Sequence, residues 1–465
     1  MTPGSFRLAA RKIGQFHEQQ PVIDWWCRNL HWLLNWMTPG RRRALLAIAA
    51  LYVAFRSSFD DLAAIAAPQV DGGVLLSVSV LLSTLGFAWF AHRISVRLKS
   101  MPRPQRQHPQ ISLHLLIWAI FCMAWLASDD FLPGRNYFAA MAFMLSTLAW
   151  RLGYMLFSSH SSRVSPGGFK DHLIYLFPAY GGTETPYGKG IDYMAKFEAR
   201  TAMDLARSQL SGVKLILLSG ILNVTLAFFE AAAYGTDNFF ARLLGGHSLG
   251  IPELGEAAAQ GVGTPTVLGW ASVYCELIRQ VLHLAYKGHR IIGILRISGF
   301  NVMRNTYKPL LAESVHDFWN RYYFYFKELL VTFFFMPIFM GSGVALRHWP
   351  RLRLFIAVLG AAAFGNIYYH FLKLHTTLVE GHVDHVLAAM ESPFFYSLLL
   401  ALGIYISMRR RERRGAGKLS SDPLSRGLRI FGVWTFFSLI FIWDVRGGAS
   451  FSARTSFFLS LFGFL

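Results

Sequence analysis

Cysteine and acidic charge are the scarcest features of this chain, and each scarcity excludes something. Three cysteines, Cys27, Cys122 and Cys275, stand far apart with no CxxC pair, which argues against a disulfide framework and a thiolate zinc site. Charged residues fill only 15% of the 465 positions, against about a quarter in an average soluble domain. Acids are the rarer sign, 26 Asp and Glu facing 45 Lys and Arg, for a formal net charge of +19. In a soluble protein that excess would suggest nucleic acid. Here the basic residues gather at the ends of apolar runs, at Arg41–Arg43, from Arg93 to Arg106, and in RRRERR at 409–414. That is the pattern of membrane topology and anionic-lipid contact, with no nucleic acid implied. No Walker motif, serine nucleophile elbow or H-E-x-x-H element supports a pump, a hydrolase or a metalloenzyme. There is no internal repeat, and the basic start MTPGSFRLAARKIGQFHEQQ lacks the apolar core of a signal peptide.

What is abundant is apolar length. Hydrophobic residues make up 54% of the chain and the mean hydropathy is +0.36. Runs long enough for a bilayer core of roughly 30 Å, which takes about 17–25 helical residues, fall near 44–56, 73–92, 112–127, 137–157, 212–234, 264–286, 328–346, 353–374, 393–408, 428–444 and 452–465. The expected fold class is all-α, a polytopic membrane protein of about eleven or more transmembrane helices with its partner in the lipid bilayer. Residues 1–40 form an N-terminal segment expected on the cytoplasmic face. Within it VIDWWCRNLHWLLNW (22–36) alternates Trp25, Trp26, Trp32 and Trp36 with Asp24, Arg28 and Asn35, the composition of an interfacial amphipathic helix, with a protein-packing helix as the alternative. Residues 41–465 are expected to be membrane-embedded.

Loop charges test the zigzag. The triplet at 41–43 and the 93–106 loop are basic, whereas FDD at 59–61 and SDD at 128–130 are acidic, so the first four crossings alternate from a cytoplasmic N-terminus. Continuing the alternation puts Lys287 to Lys327 inside but RRRERR outside. A re-entrant or extra passage between about 287 and 350 repairs this, and buries the stretch at 313–330 against protein or a wet cavity, a central tunnel. A second broken segment is DHLIYLFPAYGGTETPYGKG (171–190). The stretch 409–427 reads as a basic loop.

ESVHDFWNRYYFYFKELL (313–330) sets seven aromatic rings among six ionisable or imidazole side chains. Intramembrane ionisable groups are costly enough to be site candidates by default, although Asp317–Arg321 at i,i+4 could be an internal ion pair and Lys327–Glu328 a helix-end feature. His370, beside Asn366, Tyr368 and Tyr369 in GAAAFGNIYYHFLKLH, is embedded in an apolar helix; a hydrogen-bonded core histidine is the plain alternative. HTTLVEGHVDHVLAAMES (375–392) offers His375, His382, His385, Glu380 and Asp384, but nothing completes a metal motif, and a solvated connector is expected. Glu276, Arg279 and His283 share a helical face, as cavity lining or as a polar seam. Glu230 and Asp444 read as interfacial, and Arg151 as snorkelling or paired internally.

Together, GFNVMRNTYKPLLAESVHDFWNRYY, KELL, the embedded His370 and the upstream YLFPAYGGTETPYGKGIDYM resemble the membrane-bound O-acyltransferase superfamily, in particular its bacterial branch that acylates cell-envelope polysaccharides and teichoic acids. The similarity covers roughly 170–375, and D-F-W-N-R is its specific part. The resemblance implies an acyltransferase core there, with His370 as general base, Tyr323 and Asn320 as catalytic hydrogen-bond donors, and Asp317, Trp319, Arg321, Lys327, Glu328, Tyr369 and Asn366 along a donor tunnel. Tyr323 stands where many bacterial relatives carry histidine. Lys287, Arg290, Arg304 and Lys308 would attract the donor's phosphates, with the ordinary positive-inside bias as the equal alternative. The implied reaction moves an acyl group, acetyl above all, from a cytoplasmic acyl-CoA or acyl-carrier-protein thioester to a hydroxyl of an exported glycan, which a periplasmic partner protein could present. It needs no covalently bound cofactor and no metal, and places the chain in the bacterial cytoplasmic (inner) membrane. A transporter or flippase, or a catalytically silent scaffold of the same fold, would share the spans and embedded charges.

Overall fold

A computed structural model describes residues 14–65, 73–127, 132–161, 168–180, 185–374, 377–378, 382–414, 422–445 and 448–465. Among them every extended secondary-structure element is helical, with a single isolated bridge between Glu198 and Phe300. Among the described residues eight helices are long and apolar enough to cross a membrane: Val74–Ser100, Pro109–Leu126, Asn136–Ser158, Ala202–Tyr234, Phe324–Gly341, Pro350–Lys373, Asp384–Arg413 and Pro423–Trp443. The chain is therefore an all-helical, multi-pass membrane protein.

The three other expected spans meet different fates. The run at 44–56 lies in a 27-residue helix, Pro39–Ile65, which continues through the FDD expected as an acidic loop. The run at 264–286 lies in the 32-residue helix Thr266–Ile297, which carries Glu276, Arg279, Lys287 and Arg290. The run at 452–465 is a ten-residue helix, Phe451–Ser460, that ends in a turn; at 1.5 Å per residue it is too short to cross. The stretch at 409–427, expected as a loop, is helical at both ends. Helix Val383–Arg414 carries RRRERR to its end, with Arg409 paired to Glu412 one turn on, and the next helix begins at Pro423. The SDD segment, Gly181, Gly182, His375 and Glu380 lie outside the described residues.

The chain divides into two compact units, Met1–Ser219 with His289–Arg304, and Gly220–Gly288 with Asn305–Leu465. In the first, the tryptophan-rich stretch forms α1 (Gln20–Asn29) and α2 (His31–Trp36), broken at Leu30. One face buries Ile23 and Leu34 against Leu205, Ala206 and Leu210, and Trp26 Nε1 donates to Gln209 Oε1 at 3.0 Å. The other face exposes Trp25, Trp32 and Trp36. The stretch thus packs on protein along one face and leaves three tryptophans exposed on the other.

The arginine triplet opening α3 (Pro39–Ile65) is mostly internal. Arg42 is buried and donates to Ala199 O at 2.7 Å and Gly299 O at 3.5 Å. Gly299 has φ +88°, and a Cβ there would overlap the Arg42 guanidinium, so glycine is required twice over. Arg43 binds Glu198 at 2.5 Å and Asp171 at 3.0 Å. Beyond α3 lie α4 (Gly73–Arg97), α5 (Pro109–Leu126), α6 (Leu132–Ser161) and α7 (Phe169–Leu176). Arg151 of α6 does not snorkel: it is buried and donates to Thr185 O at 3.2 Å.

Candidate functional site: an aromatic-walled cavity

In the second unit the stretch at 313–330 folds as two short helices, α8 (Val315–Tyr322) and α9 (Phe324–Leu330). Ser314 caps the first, its Oγ accepting from Asp317 N at 3.1 Å. The break falls at Tyr323 (φ −138°, ψ 73°). A break strands backbone groups that must find partners elsewhere, and the segment Asn305–Tyr307 supplies them. Tyr307 N donates to Arg321 O at 2.8 Å, Thr306 Oγ1 to Tyr322 O at 3.0 Å, and Phe324 N to Asn305 O at 2.9 Å. Asn305 Oδ1 accepts from Tyr325 N at 3.3 Å. The N-T-Y run is thus the clamp that holds Tyr323 out of either helix.

After α9 the chain forms a π-helical stretch, Val331–Phe335, and then α10 (Met336–Gly341). The next crossing repeats the device: α11 (Pro350–Leu359), a π-helical stretch Gly360–Gly365, and α12 (Asn366–Lys373), which carries His370. The two π stretches pack on each other. A Cβ at Gly365 would lie 2.7 Å from Phe334 Cδ2, so the approach depends on glycine. π-helical turns are rare and concentrate at functional sites.

Of these elements α8, α9 and α12, with Tyr323 between the first two, line a cavity of ≈140 Å³. Its aromatic wall includes Trp319, Tyr322, Tyr323, Phe326 and Tyr369, and His370 faces it together with Asn366 and Lys373. His370 is half-buried, its ring 6.5 Å from that of Phe326 and 5.6 Å from that of Tyr369, edge-on to both. Asn366 is buried; its Nδ2 donates to Ser397 Oγ at 3.0 Å, and its Oδ1 has no hydrogen-bond partner among the described residues. A buried acceptor left open beside a cavity is a place for a ligand donor.

The cavity also takes Glu276, which the sequence offered as cavity lining or polar seam, and residues with no place in the expected site. Glu276 and Gln280 come from α13 (Thr266–Ile297), Tyr396 from α14 (Val383–Arg414), and Phe441 and Asp444 from the end of α15 (Pro423–Ile440) and the turn after it. Glu276 is fully buried, held by Arg279 at 2.8 Å and Gln280 at 2.6 Å, and Arg279 also reaches Glu253 at 3.0 Å. The Asp444 turn is fixed by Arg454, which is buried and donates to Ile442 O at 2.5 Å and Val445 O at 3.0 Å. Burial first, then Asp444, Tyr323 and Glu276, push the Tyr322 phenol well above its ordinary range, so it stays a donor. The helical face shared by Glu276 and Arg279 was the one signal in the sequence. Tyr396 and Asp444 carried none.

Of the sequence-predicted site residues, the cavity brings together His370, Tyr323, Trp319, Tyr369 and Asn366. The others stand apart from it. Asn320 Nδ2 is engaged with His316 Nδ1 at 3.2 Å; burial and then Arg411 and Lys327 hold that imidazole below its ordinary range. Asp317 and Arg321 form the i,i+4 pair at 2.9 Å, each about a third exposed. Lys327 pairs with Glu328 at 2.8 Å and lies over the Phe324 ring at 4.9 Å. Lys287 and Lys308 are exposed, while Arg290, exposed, and Arg304, half-buried, belong to the other compact unit. His283 is exposed. His382, Asp384 and His385 gather at the exposed start of α14 with ligand atoms within 4.8 Å of one another.

Fold and site together define a class, an all-helical multi-pass membrane protein with a small aromatic-walled cavity. No protein-family model matches the chain, and no curated protein matches it.

Proposed function

We propose that this protein is a membrane-bound O-acyltransferase that moves a short acyl group, acetyl above all, from a cytoplasmic acyl-CoA or acyl-carrier-protein thioester to a hydroxyl of a cell-envelope or exported glycan. The observation that carries the proposal is the convergence of His370 and Tyr323 on one ≈140 Å³ cavity. A neutral imidazole at His370 takes the acceptor's proton as its oxygen attacks the thioester carbonyl; the C–S bond then breaks, and the imidazolium returns the proton to the departing sulfur, which leaves as the thiol. The Tyr323 hydroxyl, or that of its neighbour Tyr322, donates to the oxyanion that develops. Seven aromatic side chains around the cavity exclude water and so limit hydrolysis of the thioester. The volume lies well below the roughly 300–1,000 Å³ of sites for larger ligands, which favours acetyl over a long chain.

On this proposal the chain sits in a bacterial cytoplasmic membrane with its N-terminus inside, and the acyltransferase core spans about 170–375. The helices Pro39–Ile65 and Thr266–Ile297 cross as well, being 27 and 32 residues long, and the broken segment between 287 and 350 is re-entrant. Lys287, Arg290, Arg304 and Lys308 then face the cytoplasm and draw in a phosphate-bearing donor.

The test is transfer of labelled acetyl from acetyl-CoA by the purified protein in nanodiscs. His370→Ala is expected to lower the rate by about 10²–10⁴-fold while the protein stays folded. A rate near wild type, or a requirement for His382 in its place, would remove the mechanism. Movement of a substrate across the bilayer without acylation would mark a transporter instead.

A further inference from the structure

In the first compact unit, a groove of ≈160 Å³ opens between α4, α5 and α6. Its walls include Phe90 and Ile94 of α4, Leu98 and Met101 just beyond it, and Leu113 and Leu116 of α5. Most of α6 is enclosed, whereas most of α4 and α5 faces outward, and Phe90 and Leu116 at the rim are about half exposed. The groove therefore opens to the bilayer. Ser112 is the sole hydroxyl-bearing residue among its walls, so a polar ligand would lose its hydrogen bonds to water with little in return.

One end of the groove is basic. Arg93, Arg97, Lys99, Arg103 and Arg106 are all exposed, and the sequence holds no acid between Asp71 and Asp129. Leu98 and Met101 alternate along the chain with Arg97, Lys99 and Arg103, so the apolar wall and the cations belong to one continuous turn. Arg93 is already placed, its guanidinium 5.7 Å from the centre of the Trp89 ring.

We propose that the groove and its basic rim form a seat for one anionic phospholipid, with an acyl chain along Phe90, Ile94 and Leu116 and the phosphate among Arg97, Lys99, Arg103 and Arg106. Charge complementarity selects this occupant. A zwitterionic headgroup brings its own cation to a rim whose own chain segment, residues 72–128, supplies no acid to receive it, and a free phosphate would leave the apolar wall unused.

The test uses the full-length protein, purified in mild detergent and passed through nanodiscs of equal phosphatidylglycerol and phosphatidylcholine, with retained lipids counted by native mass spectrometry. The wild type is expected to keep phosphatidylglycerol severalfold over phosphatidylcholine. Replacing Arg97, Lys99, Arg103 and Arg106 together by glutamine should abolish the preference. Ser112→Trp, or Leu116→Trp at a position already half open, should fill the groove and lose the bound lipid with the basic rim intact. Equal retention of both lipids by the wild type would overturn the proposal. So would unchanged retention in both tryptophan variants, which would leave only diffuse attraction of a basic loop to an anionic leaflet, or equal thermal stabilisation by inorganic phosphate alone.

Discussion

Tyr323 belongs to neither of the helices it joins, and that position gives its hydroxyl a role Asn320 cannot share. The Asn320 amide is spent on His316 at 3.2 Å, one turn before the break, whereas Tyr323 lines the cavity with His370. Tyr323→Phe is expected to slow acyl transfer by about 10–100-fold, the worth of one hydrogen-bond donor to a developing charge, and so to do less than removal of His370. Asn320→Ala should leave transfer within about twofold and instead lower thermal stability by about 1 kcal/mol, since it strips a partner from a half-buried imidazole. Single-turnover rates and melting curves on the two variants separate these outcomes; a larger rate loss for Asn320→Ala than for Tyr323→Phe would reverse the assignment.

The two π-helical turns decide how closely the crossings that flank His370 can approach. Gly365→Ala drives a methyl to within 2.7 Å of Phe334, and overpacking of this kind costs about 1–3 kcal/mol. The expected result is a lower melting midpoint together with a loss of transfer, partly rescued by Phe334→Leu. Little of this was legible in the sequence. GAAAFG and VTFFF are apolar runs without proline and read as uninterrupted helix, and their packing on each other leaves no local mark in either run. The half of the site on α8, α9 and α12 was visible because it falls in two local motifs, each with an ionisable group in an apolar setting. Of the other half only Glu276 was visible, on a helical face that could line a cavity; Tyr396 looks like any buried ring, and Asp444 like any charge at a helix end. Membrane-spanning character was plain from apolar length alone. The number of crossings was not, since hydropathy cannot tell a ten-residue packed helix such as Phe451–Ser460 from the end of a span.

At the scale of the whole molecule, stability should fall in acid. His172 is buried, 2% exposed, with Nδ1 2.5 Å from the Tyr175 hydroxyl. Burial first, then His92, lower its pKa from 6.5 to about 4, against a smaller opposing pull from Asp171. Above pH 6.5 the imidazole is neutral in both folded and unfolded chains, and its contribution is fully present. Between pH 6.5 and 4 the unfolded chain takes up a proton that the folded one refuses, so stability drops as pH falls, by on the order of 3 kcal/mol at most. Melting midpoints between pH 8 and 4 should trace this slope, and His172→Gln should flatten it; an unchanged slope would place the acid sensitivity elsewhere. The arginine triplet at 41–43 bears on a different kind of experiment. Insertion machinery reads such a cluster as three equivalent charges, yet in the finished fold Arg42 and Arg43 are rivets, tied to Ala199, Gly299, Glu198 and Asp171, and only Arg41, resting on the Trp36 ring at 5.6 Å, is surface decoration. Anyone who neutralises the cluster to invert the protein in its membrane will remove an orientation signal and two tertiary fastenings at once, and an inverted or degraded product would then have two causes. Arg41 alone can serve as the dial.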